Sequence, residues 1–269
     1  MKIYLGPAGV PVSASKHNTI SGIETVAKLG LNAMEVEFVQ GVKMGNDLAK
    51  KAGEVAKKNG ILLSVHAPYF INLCNPAKVK ESEKRIMDSC ERAHYMGAKF
   101  VAFHPGFYGN LAKEKAYELV KNACQEMSEK IRANGWDVFL GLETTGKHTQ
   151  FGTLEENIKI SKEVKNCGVV IDFAHIYARQ GGKIDYKKVL DSIEVLKPSL
   201  VHCHFSNIEF TMKGEKRHLV LDHKPDFEPL AKEMLKRKFD ITIISESPIL
   251  EQDSLKMKKI FEKLGYRFD

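Results

Sequence analysis

The stretch Val138-Phe139-Leu140-Gly141-Leu142-Glu143-Thr144-Thr145-Gly146 runs through five apolar or small residues, meets a carboxylate, and turns. The length suits one short buried strand, with Glu143 at its end. A carboxylate there is costly unless a cation, a metal or a proton neutralises it. The same arrangement recurs along the chain. LLSVHAP (62–68) ends on His66, FVAFHPG (100–106) on His104, GVVIDF (168–173) on Asp172, LVHCHF (200–205) on His204, and IISESP (243–248) on Glu246. One such ending carries little information. Six, all of metal-ligand type, read as one site with Glu143 at its centre.

Working outward, short apolar runs alternate with longer stretches of helical spacing. Strands are expected at 3–5, 33–38, 61–65, 100–103, 138–142, 168–171, 200–203 and 241–245. Helices are expected at 21–29, 47–58, 78–96, 111–132, 154–165, 186–196, 227–236 and 254–264, several closed by Gly or Asn-Gly. Eight strand–helix repeats without a linker argue for an α/β chain folded as a single (β/α)8 barrel, one domain over 1–269. The length of 269 residues is ordinary for that architecture. A doubly wound sheet is the alternative, but no G-x-G-x-x-G turn follows the first strand. The longest irregular segments follow strands two, three, six and seven, on the face where barrels place their sites.

Composition narrows the partners. Lys and Arg number 41 against 34 Asp and Glu, giving +7 at pH 7 and a pI near 9.0. If metal neutralises several carboxylates, the remaining surface is more basic still, which favours a polyanion mildly. Five scattered cysteines without a Cys-x-x-Cys pair argue against a disulfide framework and for a reducing cytoplasm. No apolar run approaches membrane-spanning length.

Side chains on a strand alternate between faces, so if the six endings point into the barrel, Ser64, Ala102, Gly141, Val170, His202 and Ile244 point inward one layer below. Most are small or apolar, leaving room beneath the ligands. His202 competes with His204 as a ligand, but its deeper place favours a core histidine. His175, three residues after Asp172, is positioned to serve a neighbouring ion from a strand-to-loop transition. Glu215 and His218 form a polar pair in the long loop after strand seven.

The ordered set VHAPY (65–69), FHPG (103–106), LETT (142–145), IDFAH (171–175), HFSN (204–207), RHL (217–219) and SESP (245–248) resembles endonuclease IV, the TIM-barrel apurinic/apyrimidinic endonuclease family. The resemblance runs from the third strand to the eighth. It implies a zinc-dependent hydrolase with a trinuclear centre that cuts the phosphodiester 5′ to an abasic site in double-stranded DNA, as a monomer. By position, His66 and His104 would hold one zinc, which Glu143 bridges to a second completed by Asp172, His204 and Glu246. His175 and His218 would hold the third. Glu143, a carboxylate that can offer two oxygens to two cations as a histidine cannot, is the expected catalytic residue. Two or three ions are expected, with manganese as the alternative metal. Tyr69 and Phe70 match an aromatic–apolar pair that wedges into the duplex, and Lys43 falls near a basic wedge position.

The chain departs from that family in three places. Glu215 precedes Lys216-Arg217-His218 where the family has Asp-Arg-His, so Glu215 either takes the aspartate's role with a longer reach or leaves the third zinc weaker. Phe205-Ser206-Asn207 replaces Leu-Asn-Asp. The second strand carries Glu35 and Glu37 and looks more like the wider xylose-isomerase-like group. That keeps a second function open, a divalent-metal sugar or sugar-phosphate isomerase or epimerase. A barrel that binds abasic DNA without cutting it is a third.

Overall fold

A computed structural model describes residues 1–268. Eight strands alternate with helices: β1 Ile3–Pro7, β2 Ala33–Glu37, β3 Leu62–His66, β4 Phe100–Phe103, β5 Phe139–Glu143, β6 Cys167–Asp172, β7 Leu200–Phe205 and β8 Asp240–Ser245. The helices are α1 Thr19–Lys28, α2 Asn46–Lys58, α3 Val79–Met96, α4 Lys113–Ala133, α5 Leu154–Glu163, α6 Phe173–Arg179, α7 Tyr186–Glu194, α8 Phe227–Met234 and α9 Glu251–Lys263. The strands pair in parallel in the order β1-β8-β7-β6-β5-β4-β3-β2, which is a single (β/α)8 barrel.

The β1–β2 seam closes the ring with fewer ladder bonds. Gly9 N–H donates to Glu35 O at 2.9 Å, and the Asn32 side chain stands in for the missing rungs. Its Oδ1 accepts from Leu5 N–H at 2.7 Å and its Nδ2 donates to Ile3 O at 3.1 Å. Gly6 is required here, because a Cβ at that position would lie 1.6 Å from Ala33 O.

Helices cover the outside of the barrel with one apolar stripe each. On α4 the buried set is Ala116, Tyr117, Val120, Ala123, Cys124, Met127 and Ile131, the three-to-four spacing of a helix face. Inside the ring, Phe100, Ala102 and Val170 form a separate small cluster that plugs the bottom. The top is left to polar residues. Strands β3, β5, β6 and β7 extend past their expected ends to include His66, Glu143, Asp172 and His204, because the ladder continues beyond them. Ala67 N–H bonds Ala102 O at 2.8 Å and Thr144 N–H bonds Val170 O at 3.0 Å. The site therefore stands on rigid strand ends.

Two expected loops are ordered elements. The segment after β6 is helix α6, nucleated by Asp172, whose carboxylate accepts from His175 N–H at 2.6 Å. The segment after β7 is an antiparallel hairpin, Asn207–Thr211 with Gly214–Leu219. The five cysteines are free and buried. Among the described residues, no helix is long and apolar enough to cross a membrane.

Candidate metal centre

Glu143 is fully buried, and its two oxygens face different donors. Oε2 lies 3.0 Å from His66 Nε2 and 3.1 Å from His104 Nε2. Oε1 lies 3.3 Å from His175 Nδ1 and 3.4 Å from His204 Nδ1. Around this carboxylate three groups of donors converge, each with its ligand atoms within 4.8 Å of one another. They are His66, His104 and Glu143; Glu143, Asp172, His175 and Glu246; and His175, Glu215 and His218.

Neighbouring groups fix the rings. His66 Nδ1 meets Ala67 O at 2.8 Å, which needs a proton on Nδ1 and leaves Nε2 facing Glu143. His175 Nδ1 meets Thr144 O at 2.9 Å, leaving Nε2 facing Glu215 Oε2 at 3.5 Å. His218 Nδ1 is held by Ser206 Oγ at 2.7 Å, with Nε2 3.9 Å from Glu246 Oε2. Asp172, His204 and Glu246 were expected to complete the second set. The structure groups His175, on the first turn of α6, with Glu143, Asp172 and Glu246, and His204 stands beside them, its Nδ1 3.3 Å from Glu246 Oε1. His175 thus stands between the second and third sets rather than in the third only.

The donors fit divalent cations. Glu143 Oε1, Asp172 Oδ2, His175 Nε2, His204 Nδ1, Glu215 Oε2 and Glu246 Oε2 are all buried without a hydrogen-bond partner. Each unsatisfied buried group costs about 1–3 kcal/mol, and here they face one volume. Imidazole nitrogen with carboxylate oxygen is the donor set that zinc takes.

Without metal, protons take the cations' place. Burial works against a charge on His66, but the Glu143 hydrogen bond and the Glu37, Glu143 and Glu35 charges outweigh it and push its pKa up to about 10. Burial likewise opposes charge on His175 and His204, and the surrounding carboxylates hold both well above the usual imidazole value. Asp172 is pushed well above the carboxylate range by burial and by the Glu246 and Glu143 charges, His175 opposing.

Beneath these donors the expected open space is filled. Glu35, fully buried on β2, accepts from Ser64 Oγ at 2.7 Å and meets His202 Nε2 at 2.8 Å. His202 also stacks on Phe100 at 5.5 Å, a core histidine with a polar partner. Glu37, level with His66 in the β2–β3 pairing, is pushed up to about 8 by burial and by the Glu35 and Glu246 charges, against His66. Neither glutamate was assigned a site role from the sequence, although two carboxylates on one face of an apolar strand were a visible signal. Thr144 and Ser206, which orient ligand rings, carried no such signal.

The residues expected at a nucleic acid sit at the rim. Tyr69 and Phe70 are 59% and 65% exposed, with the Tyr69 ring 5.9 Å from that of His66. Arg85 Nη1 donates to Phe70 O at 2.6 Å and packs over its ring. Lys43 is exposed in the segment after β2 and belongs to none of the donor groups. The exposed Val39, Phe107 and Met212 follow β2, β4 and β7 on the same face.

Fold and site together define a barrel enzyme class built around clustered metal donors. The family described as xylose isomerase-like TIM barrel matches residues 23–263, and the chain belongs to it. An uncharacterised protein of Methanocaldococcus jannaschii is 39% identical over 275 residues, 97% of this chain and 98% of that protein. A probable endonuclease 4 of Mycoplasma mobile is 28% identical over 212 residues, 75% of this chain and 74% of the other. Among solved structures, a D-tagatose 3-epimerase-like protein superposes with a TM-score of 0.73 at 18% identity, covering 98% of this chain and 96% of that one. Endonuclease IV from Thermus thermophilus gives 0.68 at 18%, covering 96% and 98%. At these identities the two structures speak for the fold alone.

Proposed function

We propose that this protein is a zinc-dependent endonuclease that hydrolyses the phosphodiester 5′ to abasic sites in duplex DNA. The observation that carries the reading is the division of the Glu143 carboxylate between two donor groups, with a third group at Glu215 and His218. One metal would need only one such group. When bound, the ions would supply Lewis-acid stabilisation of charge on a phosphoryl group and a nucleophile active at neutral pH.

His66 and His104 present ring nitrogens to one side of Glu143. Asp172, His175 and Glu246 present donors to the other, with His204 Nδ1 beside them and Glu215 and His218 beyond. The exposed Tyr69, Phe70, Phe107 and Met212 suit a large partner better than a closed small-molecule pocket. Apolar wedges of this kind offset the few kcal/mol needed to unstack a duplex, and an abasic nucleotide is the cheapest to expel. The endonuclease 4 relative is consistent with this substrate.

A second reading, a divalent-metal sugar isomerase or epimerase, is favoured by Glu37, a carboxyl beside the site whose pKa burial pushes up to about 8, as proton transfer at a sugar carbon would use. One assay separates the two: cleavage of a labelled duplex with a central tetrahydrofuran abasic analogue, with metal content measured on the same preparation. Incision on the 5′ side, abolished by chelation, is expected. Glu143→Gln is expected to lower it by more than ~100-fold, since even residues that only support a metal ligand cost ~10–100-fold. Fully metallated protein that leaves the duplex intact would move the assignment to the isomerase.

A further inference from the structure

Glu35 forms a fourth donor group with His202 and His204, one layer below the three around Glu143. Its side chain is fully buried. Oε2 is held from two directions, by Ser64 Oγ at 2.7 Å and His202 Nε2 at 2.8 Å. These contacts aim the other oxygen, Oε1, at His204 Nε2, 2.9 Å away. That approach is an ion-pair contact without hydrogen-bond alignment, and Oε1 has no other partner. On the opposite side of the same ring, Nδ1 faces Glu143 Oε1 at 3.4 Å and Glu246 Oε1 at 3.3 Å.

We propose that Glu35 is a positioning residue of the metal centre: it fixes the His204 ring with Nε2–H turned down into the barrel, so that Nδ1 is offered as a ligand between Glu143 and Glu246. The physical reason is the tautomer. A neutral imidazole carries one proton, and an anion on one nitrogen keeps it there and leaves the other lone pair free. His66, His175 and His218 use backbone carbonyls or a hydroxyl for this purpose. Behind His204 the partner is a carboxylate, which also makes its ligand nitrogen more basic. Ser64 and His202 anchor that carboxylate, which explains two polar residues in a layer otherwise filled by Phe100, Ala102 and Val170.

The inference rests on the metal centre but not on its substrate. The test is zinc and cobalt binding by metal-depleted protein, titrated in competition with a chromophoric chelator, for wild type and Glu35→Gln. The variant is expected to bind one equivalent ~10–100-fold more weakly, the range for loss of a ligand's supporting partner, and the other equivalents as before. In zinc-loaded wild type, long-range proton–nitrogen NMR is expected to show His204 with its proton on Nε2, and in Glu35→Gln a mixture of tautomers. If Glu35→Gln does not fold, Glu35→Asp is read in the same way, its carboxylate too short to reach both His202 and His204. Unchanged affinity, or an Nδ1–H tautomer in the loaded wild type, would overturn the proposal. A wild type that cuts abasic DNA with no such change in Glu35→Gln sinks this inference and leaves the nuclease. A metal loss in Glu35→Gln without any cutting by wild type does the reverse.

Discussion

At the scale of single residues, Glu143 decides what the site is, and the imidazoles around it decide when it loads. His66, His175 and His204 carry raised pKa values because carboxylates surround them, and His66 titrates near 10. A metal needs the neutral ring, so loading must drive those protons off. The sign follows: proton release on binding is positive, and affinity climbs as pH rises towards about 10. Calorimetric titration of zinc in buffers of different ionisation enthalpy should give more than one proton released per protein at pH 7. Release of none would mean that the rings are already neutral. His66, His104, Glu143, Asp172, His204 and Glu246 stood out in the sequence because each ends an apolar run. Thr144, whose carbonyl orients His175, was not readable, since a backbone oxygen looks the same at every residue.

At the scale of elements, the hairpin after β7 and helix α6 build the third donor group. Glu215 reaches His175 because the hairpin docks on the turn after β5, where Glu215 N–H bonds Gly146 O at 3.1 Å. Gly146 is the contact that permits it. A Cβ there would lie 2.5 Å from Glu215 Cβ and 3.1 Å from His175 Cδ2. Gly146→Ala should therefore displace the hairpin, lower bound metal by one equivalent in elemental analysis and leave the barrel folded. Full metal content in the variant would remove Glu215 from the ligands. In the sequence this segment read as a long loop carrying the polar pair Glu215 and His218, because Lys213, Lys216 and Arg217 mask any strand alternation. The pairing of Ile208 with His218, and Asp172 as the cap of α6, depend on partners the periodicity does not name.

At the scale of the whole molecule, closure of the ring brings the polar layer together. Glu35 on β2 and His202 on β7 are 167 positions apart and meet across the interior. The β1–β2 seam completes that ring, and Asn32 supplies bonds that the strands do not. Asn32→Ala should leave Leu5 N–H and Ile3 O without partners and cost about 2–3 kcal/mol in urea unfolding. A loss under about 0.5 kcal/mol would show that water replaces the side chain. Gly6 marks the same closure, since no other residue fits beside Ala33 O.

The sequence by itself determined the alternation of strands and helices, the barrel that follows from it, and the acids and histidines at six strand ends. Each of these rests on local periodicity and on the cost of a charged group beside an apolar run. Only the tertiary structure decided that Glu35 lies under His204, that His175 stands between two donor groups, and that Glu215 reaches them. Those contacts join residues far apart in the chain, through a closed sheet and a docked hairpin, and no pattern along a single strand records them.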